Sequence, residues 1–318
     1  MLAVEASLRA EGERQIKEGD VVIVYERHDR MKAVIVARNG ELQNRFGVFP
    51  HNEWIGKPFG CRVVGKKGGG FVFLLAPTPE LWTLVLPHRT QILYVADISF
   101  VISFLELRPG SVMLESGTGS GSLTHSLARA VAPSGHVHTF DFHEQRALAA
   151  KQEFERNGIG HLVTVTMRDI QGQGFPEEFV GGQADAVFLD LPQPWLAIPS
   201  VASSLRCDGG ICSFSPCIEQ VQRTCEALTI PEFTDIRTFE VLVRTYEVRQ
   251  EFLQTTLQCS TQFASDCLLK PPPQKRQRPQ KGRTVTKKAE RETRPVIAKP
   301  YPDTKGHTGY LTFARRST

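Results

Sequence analysis

From residue 97 onward, segments with strand spacing alternate with segments with helical spacing, and that alternation restricts the fold more than any other feature of the chain. DISFVISFLEL reads as a helix with Asp97 at its N-cap. After it come SVMLES, GSLTHSLARAVA, HVHTFDF, HEQRALAAKQEFERNG, HLVTVTMRD, DAVFLDL, an apolar segment around residues 197–205, GGICSFS and CIEQVQRTCEAL. Strands joined through helices need right-handed crossovers, which predicts an α/β fold with a parallel, doubly wound sheet. The end breaks this rule. RTFEVLVRTYEVRQ and HTGYLTFARR carry no helical pattern between them, so an antiparallel pair is expected to close the sheet at seven strands.

The chain has 318 residues, enough for one large core and a smaller satellite. The satellite is expected at residues 18–76. EGDVVIVYE, MKAVIVAR, GVFPHNEWIG, CRVVGKK and GGFVFLLAP are β-branched runs punctuated by Gly, Asn and Pro, the pattern of a small β-barrel-like domain. A linker at 77–96 follows, and its PTP start argues against a helix there. Residues 1–17 form a charged extension without a signal-peptide core. No apolar run reaches about 18 residues, so no membrane span is expected. Of the seven cysteines, Cys207, Cys212, Cys217 and Cys225 lie close together without C-x-x-C or His at zinc spacing, which points to reduced thiols and no metal.

The net charge of +4 is unevenly placed. Residues 270–299 hold 11 Lys or Arg against two Glu, leaving 27 basic and 32 acidic residues elsewhere. Around this stretch, residues 255–300 are too rich in Pro and charge to form a core and read as a basic, disordered insertion between the last two strands. The nucleotide-binding-type domain is then 97–254 plus 301–318.

Gly117, Gly119 and Gly121 sit in LESGTGSGSLTH, between a strand and a helix. Such a turn brings backbone amides close to a ligand at a helix N-terminus, although glycine turns also serve packing alone. Acids end the successive strands: Glu115 before the turn, Asp141 after HVHTF and Asp169 after TVTMR. Asp141 is placed to accept from ribose hydroxyls, and Asp169 or its neighbour to read an adenine edge. A dinucleotide fingerprint needs a third glycine where this chain has Ser122, and it lacks the antiparallel closing pair. The pattern therefore points to a compact nucleoside cofactor, S-adenosylmethionine, rather than a nicotinamide dinucleotide. In DAVFLDLPQPW, Asp190 ends the fourth strand and Pro192, Pro194 and Trp195 follow. A carboxylate, rigid carbonyls and an aromatic face suit an amino-bearing base; the structural alternative is a capping Asp190 and a core Trp195.

ESGTGSGS, HTFDFHEQR, DAVFLDLPQPW, SFSPCIEQVQRTC and LPHRTQILY together resemble the catalytic-subunit family of the eukaryotic tRNA (adenine-N1)-methyltransferases, which modify the T-loop adenosine at position 58. The likeness runs from about residue 18 to the C-terminus, apart from the basic insertion. It implies a Rossmann-like class I methyltransferase domain behind a small β-domain, and a two-plus-two heterotetramer with a related non-catalytic subunit that binds tRNA. It also implies Gln91 and the Ser120, Gly121, Ser122 and Leu123 backbone at the cofactor, with Asp141 and Arg146 at the ribose and Asp169 and Ile170 at the adenine. Asp190 becomes the acid-base residue and Tyr94 a candidate for packing on the target base. The family more often has Glu where this chain has Asp141. Non-catalytic partners characteristically lose the glycine turn and the aspartate, and this chain keeps both. KPPPQKRQRPQK resembles a nuclear localisation signal, so a nuclear location is expected; gripping tRNA phosphates and acting as a plain linker remain open for the same segment. The rivals are a non-catalytic tRNA-binding subunit, a methyltransferase with another substrate, and a dehydrogenase.

Overall fold

A computed structural model describes residues 14–27, 30–66, 68–230, 232–250, 296–300 and 309–317. The chain divides into a unit of Met1–Val243 with Lys305–Thr318 and a small unit of Arg244–Thr304.

The N-terminal part of the first unit is β throughout. Strands β1 (Val21–Arg27), β2 (Arg30–Ile35), β3 (Glu41–Asn44), β4 (Gly47–Pro50), β5 (Arg62–Val64) and β6 (Phe71–Leu75) form a four-stranded antiparallel sheet, ordered β2-β1-β6-β5, and a β3-β4 hairpin. A bridge between Val48 and Lys66 joins the hairpin to the segment leaving β5. Val22, Val24, Phe49, Trp54, Val72 and Leu74 fill one core between them, and this is the form that the barrel-like expectation takes.

The linker departs from expectation. Pro79–Val85 is a helix, α1, with Thr78 as N-cap accepting from the Leu81 N–H and Pro79 at the first helical position. The prolines therefore start a helix instead of preventing one: at N1 the missing N–H would have had no partner, and the fixed φ is already helical. Helix α2 (Val95–Phe104) likewise begins earlier than expected. Tyr94 is its N-cap by backbone geometry, and Asp97 lies buried in its first turn.

The larger sheet contains β7 (Val112–Ser116), β8 (His136–Asp141), β9 (Val163–Met167), β10 (Ala184–Leu189), β11 (Leu205–Ser215) and β12 (Phe233–Phe239). Interleaved with them are α3 (Ser122–Val131), α4 (Glu144–Arg156), the short α5 (Ile170–Gln173), α6 (Ile198–Ser204) and α7 (Ile218–Leu228). In the small unit, β13 (Tyr246–Gln250) pairs antiparallel with β14 (Val296–Pro300). The closing strand of the large sheet is β15 (Tyr310–Arg316), antiparallel to both β11 and β12.

The order β12-β15-β11-β10-β7-β8-β9 gives the seven strands read from the sequence. Two details differ. The sixth strand starts at Phe233 and ends at Phe239, so RTFEVLVRTYEVRQ is divided between two sheets. The last five residues of the expected insertion, Val296–Pro300, form a strand, since their alternating pattern finds a partner in β13. Residues 255–295 of that expectation, and most of the N-terminal extension, lie outside the described residues.

Apolar side chains cover both faces of the sheet. Leu127, Val131, Phe154, Met113 and Phe188 pack under α3 and α4; Ile170, Phe179, Ile198, Val201 and Leu228 pack under α5, α6 and α7. The chain leaves β7 towards β8 and β9, then returns to lay β10 on the other side of β7, so the sheet switches direction between β7 and β10. In open α/β sheets that is where a crevice opens at the carboxyl ends. No described helix is long and apolar enough to cross a membrane.

Candidate active site

A cavity of about 540 Å³ opens at this switch point. Its floor is the turn after β7. Gly117 has φ +101°, and a Cβ there would lie 2.3 Å from the Asp190 carbonyl oxygen. Only glycine allows the ends of β7 and β10 to approach so closely, and the Asp190 N–H donates to the Ser116 carbonyl across that gap (2.8 Å). Gly119 has φ +52°, and a Cβ there would meet Thr90 Oγ1 at 2.6 Å. Gly121 serves packing, since its Cβ would strike the Phe154 ring at 2.8 Å.

Asp141, at the end of β8, is 3% exposed and held on every side. Its Oδ1 accepts from the His143 N–H (2.9 Å) and from Arg146 Nε (3.2 Å) and Nη2 (2.9 Å), while Oδ2 accepts from the Gly119 N–H (3.1 Å). The carboxylate thus fixes the floor of the turn and keeps unused acceptor capacity on Oδ2. Asp169 caps α5 by accepting from the Gln171 N–H (3.0 Å). Gln171 in turn accepts from the Gln193 N–H (2.9 Å), tying α5 to the loop after Asp190.

Asp190 differs from the others. By solvent contact it is exposed, because it faces the cavity; yet the cavity walls enclose it, and that burial pushes its carboxyl up to about 6. Among the described residues nothing donates a hydrogen bond to its side chain, so its oxygens are available to a ligand. Glu115 lies beneath the turn, 1% exposed, with Thr124 Oγ1 donating to it at 2.6 Å. Burial raises its carboxyl to about 7, against the pull of the Thr124 and Thr139 hydroxyls and with help from the charges of Asp190 and Asp141. Glu115 is therefore a buried support of the turn, with no open face to the main cavity.

Of the residues singled out in the sequence, Gln91, Gly117, Gly119, Asp141, Arg146, Asp169, Ile170, Asp190 and Pro192 border the cavity. Glu115, Ser120, Ser122 and Leu123 border a cleft of about 20 Å³ that adjoins it. Tyr94 is absent from both linings and packs beside Val21, Trp82, Leu86 and Ile92. Pro194 and Trp195 also lie off the cavity. Pro194 opens a 3-10 turn that leads the chain away from the rim, and Trp195 takes the Arg223 guanidinium over its ring at 5.2 Å.

Other lining residues were not read from the sequence. Thr90, Arg168, Gln171, Phe214 and Gln220 all reach the cavity. Gln220 donates to the Pro192 carbonyl (2.9 Å) while accepting from the Cys217 N–H (3.2 Å). The spacing of Cys217 and Gln220 at the start of α7 matches a capping box with a thiol in place of the hydroxyl, which was the available signal. Among the described residues no group of three or more His, Cys, Asp or Glu could hold a metal ion.

Comparison with known proteins places these features in context. The family described as the tRNA methyltransferase complex GCD14 subunit matches residues 70–316. The tRNA (adenine(58)-N(1))-methyltransferase catalytic subunit of Dictyostelium discoideum is 43% identical over 304 residues, covering 94% of this chain and 96% of that relative. The protein of the same description from Candida albicans is 40% identical over 321 residues, again covering 94% and 96%. Among solved structures, a SAM-dependent O-methyltransferase from Thermotoga maritima superposes with a TM-score of 0.72 at 26% identity, covering 96% of this chain and 95% of that one. A tRNA methyltransferase, TrmI, from Aquifex aeolicus shares the fold with a TM-score of 0.68 at 23% identity, covering 96% and 100%.

Proposed function

Because the chain belongs to the family of the tRNA methyltransferase complex GCD14 subunit, we propose that it methylates N1 of the T-loop adenosine at position 58 of tRNA, as the catalytic chain of that complex. The observation that carries this reading is the meeting, at the switch point of the sheet, of a glycine turn with a carboxylate to which no group among the described residues donates.

The cofactor is S-adenosylmethionine, and the residues present fit it. Gly117 and Gly119 line the cavity, and their missing side chains let the turn after β7 pack closely against Asp190 and Thr90. Asp141 retains acceptor capacity for a ribose hydroxyl. Asp169, Ile170 and Phe142 line the cavity and can border an adenine ring, and Gln91 lines both the cavity and the cleft beside the turn. When bound, the cofactor supplies an electrophilic sulfonium methyl whose bonding pair departs with sulfur.

The chain's own residues have three tasks. The rim holds the base at a fixed place, through Pro192 and the Gln220 that pins its carbonyl. The cavity walls partly desolvate the Asp190 carboxyl, and displacement of further water by the bound base strengthens electrostatic contacts inside. Asp190 then faces the positive charge that develops on the adenine ring as the N1 lone pair forms the bond to the methyl carbon and N1 gains a third substituent. Its carboxylate accepts from the exocyclic amine and can take up the proton released there. In folded tRNA the N1 edge is engaged in pairing, so the base must be turned out to reach the rim.

The two-subunit assembly and the nuclear location belong to the same proposal. The word complex in the family description supports a partner subunit, and the basic run of residues 270–299 supports both nuclear import and contact with tRNA phosphates. The test is transfer from labelled S-adenosylmethionine to unmodified tRNA, by this chain alone and with the related subunit, with the product mapped by digestion and mass. T-loop 1-methyladenosine is expected only when both chains are present. Cofactor binding without any tRNA product in either mixture would overturn the substrate assignment.

A further inference from the structure

Arg89 lines neither the cavity nor its adjoining cleft, yet its N–H, Nε and Nη2 all hydrogen-bond to Gly119 or Ser120 of the glycine turn. Its Nε donates to the Gly119 carbonyl (3.3 Å) and its Nη2 to the Ser120 carbonyl (3.2 Å). The third donor, Nη1, meets Glu153 Oε2 at 3.0 Å. That carboxylate is buried in α4, and its other oxygen accepts from Trp82 Nε1 (3.3 Å) on α1. Ser120 answers in the reverse direction, its Oγ accepting from the N–H groups of Arg89 (2.8 Å) and Thr90 (3.1 Å). A second stitch lies next to this one: Ser122 Oγ lies 2.9 Å from Thr83 Oγ1 and donates to the Leu93 carbonyl (3.1 Å).

A peptide plane is rigid, so the direction of a carbonyl sets the direction of the next amide. By holding the Gly119 carbonyl, Arg89 orients the Ser120 amide, and by holding the Ser120 carbonyl it steadies the Gly121 amide in its bond to the Thr118 carbonyl (2.8 Å). The planar fork of the guanidinium can serve two carbonyls and a carboxylate together, which an ammonium cannot do with the same geometry. Gln91, which lines the cavity together with Gly117 and Gly119, follows Arg89 by two positions and is carried by the same stitched segment.

We propose that Arg89 is a positioning residue for cofactor binding: through Glu153 and the Gly119 and Ser120 carbonyls it locks the linker to the glycine turn, so that both walls of the cofactor site are set before the ligand arrives. This deepens the methyltransferase reading and rests on it for the identity of the ligand. Lost preorganisation raises the cost of binding, and a ligand used in both ground and transition states then weakens KM more than kcat.

The experiment uses the full chain. S-adenosylmethionine affinity is measured by calorimetry and amide exchange of residues 117–121 is followed without ligand, for wild type, Arg89→Ala, Arg89→Lys and Glu153→Gln. Steady-state methyl transfer is measured with the partner subunit. Arg89→Ala is expected to weaken S-adenosylmethionine binding about tenfold, to raise its KM to match, and to speed exchange at the turn, with kcat within about twofold. Arg89→Lys and Glu153→Gln are expected to fall between Arg89→Ala and wild type. The proposal is overturned if Arg89→Lys or Glu153→Gln, still folded by circular dichroism, loses thermal stability while affinity and turn exchange stay at wild-type values. It is equally overturned if kcat falls and KM does not rise. A wild type that binds S-adenosylmethionine but methylates no tRNA would sink the proposed reaction instead, and the binding and exchange comparison would still decide the role of Arg89.

Discussion

Gly117 and Asp190 come from different strands, and each restricts what the other position can be. With the Asp190 carbonyl 2.3 Å from where a Gly117 Cβ would sit, and φ at +101°, Gly117→Ala must push β10 away from β7 or distort the turn. A loss of about 2 kcal/mol or more in urea unfolding and of measurable S-adenosylmethionine binding is the expected result. With the role proposed for it, Asp190 sets stability against function. Burial raises its carboxyl from 3.8 to about 6, so the folded chain holds that proton more tightly than the unfolded chain does. Stability contributed by the protonated form is therefore lost as pH rises from about 4 to about 6, and the cost is complete at neutral pH. Asp190→Asn removes the charge at constant shape. Its Tm at pH 7.5 is expected to rise, by about 2 °C once solvent in the cavity is allowed for, and to match wild type at pH 4. A lower Tm at pH 7.5 would mean that the ionised carboxylate has a partner holding it in the folded state.

At the scale of elements, what could be read in advance followed from local chemistry. The βα alternation, the glycine turn and the acid at the end of each strand are short-range signals, and seven strands in the expected roles follow from them. What could not be read depended on contacts distant in sequence. Nothing near Arg89 announces that Glu153 and the turn carbonyls will receive its fork, and nothing in DLPQPW shows that the 3-10 turn carries Trp195 away from the rim. Helix α1 was misread for a different reason: a proline at N1 and one just before the cap both look like breakers until the Thr78 cap is recognised. The antiparallel edge is the element most dependent on tertiary packing. Phe313 on β15 is 1% exposed, with its ring centroid 4.3 Å from that of Phe104 and 5.9 Å from that of Phe239. Phe313→Ala is expected to cost about 3–5 kcal/mol by chemical denaturation, because the β11 and β12 neighbours cannot collapse into the space. A cost under about 1 kcal/mol would show that the edge contributes little to the fold.

For the whole molecule, the sheet's reversal between β7 and β10 gathers residues from the linker and from five strand ends around one cavity. The N-terminal β-module takes part through the linker, where Val21, Trp82, Leu86 and Ile92 share an apolar cluster and Trp82 reaches Glu153. The charge of the chain is unevenly distributed along the sequence, with the basic run at 270–299 and a mildly acidic remainder. The central claim is that a single carboxylate enclosed at this switch point carries the chemistry of methyl transfer. Its most direct test is the single-turnover rate of 1-methyladenosine formation in tRNA, followed by mass spectrometry from pH 5 to 8.5 for wild type and Asp190→Asn, with the partner subunit present. Wild type should rise through about pH 6 to a plateau as the carboxyl ionises. The variant should be flat with pH and at least about 100-fold slower, with S-adenosylmethionine affinity within about threefold of wild type. A variant that keeps the wild-type rate, or one that loses rate and cofactor affinity together, would contradict it.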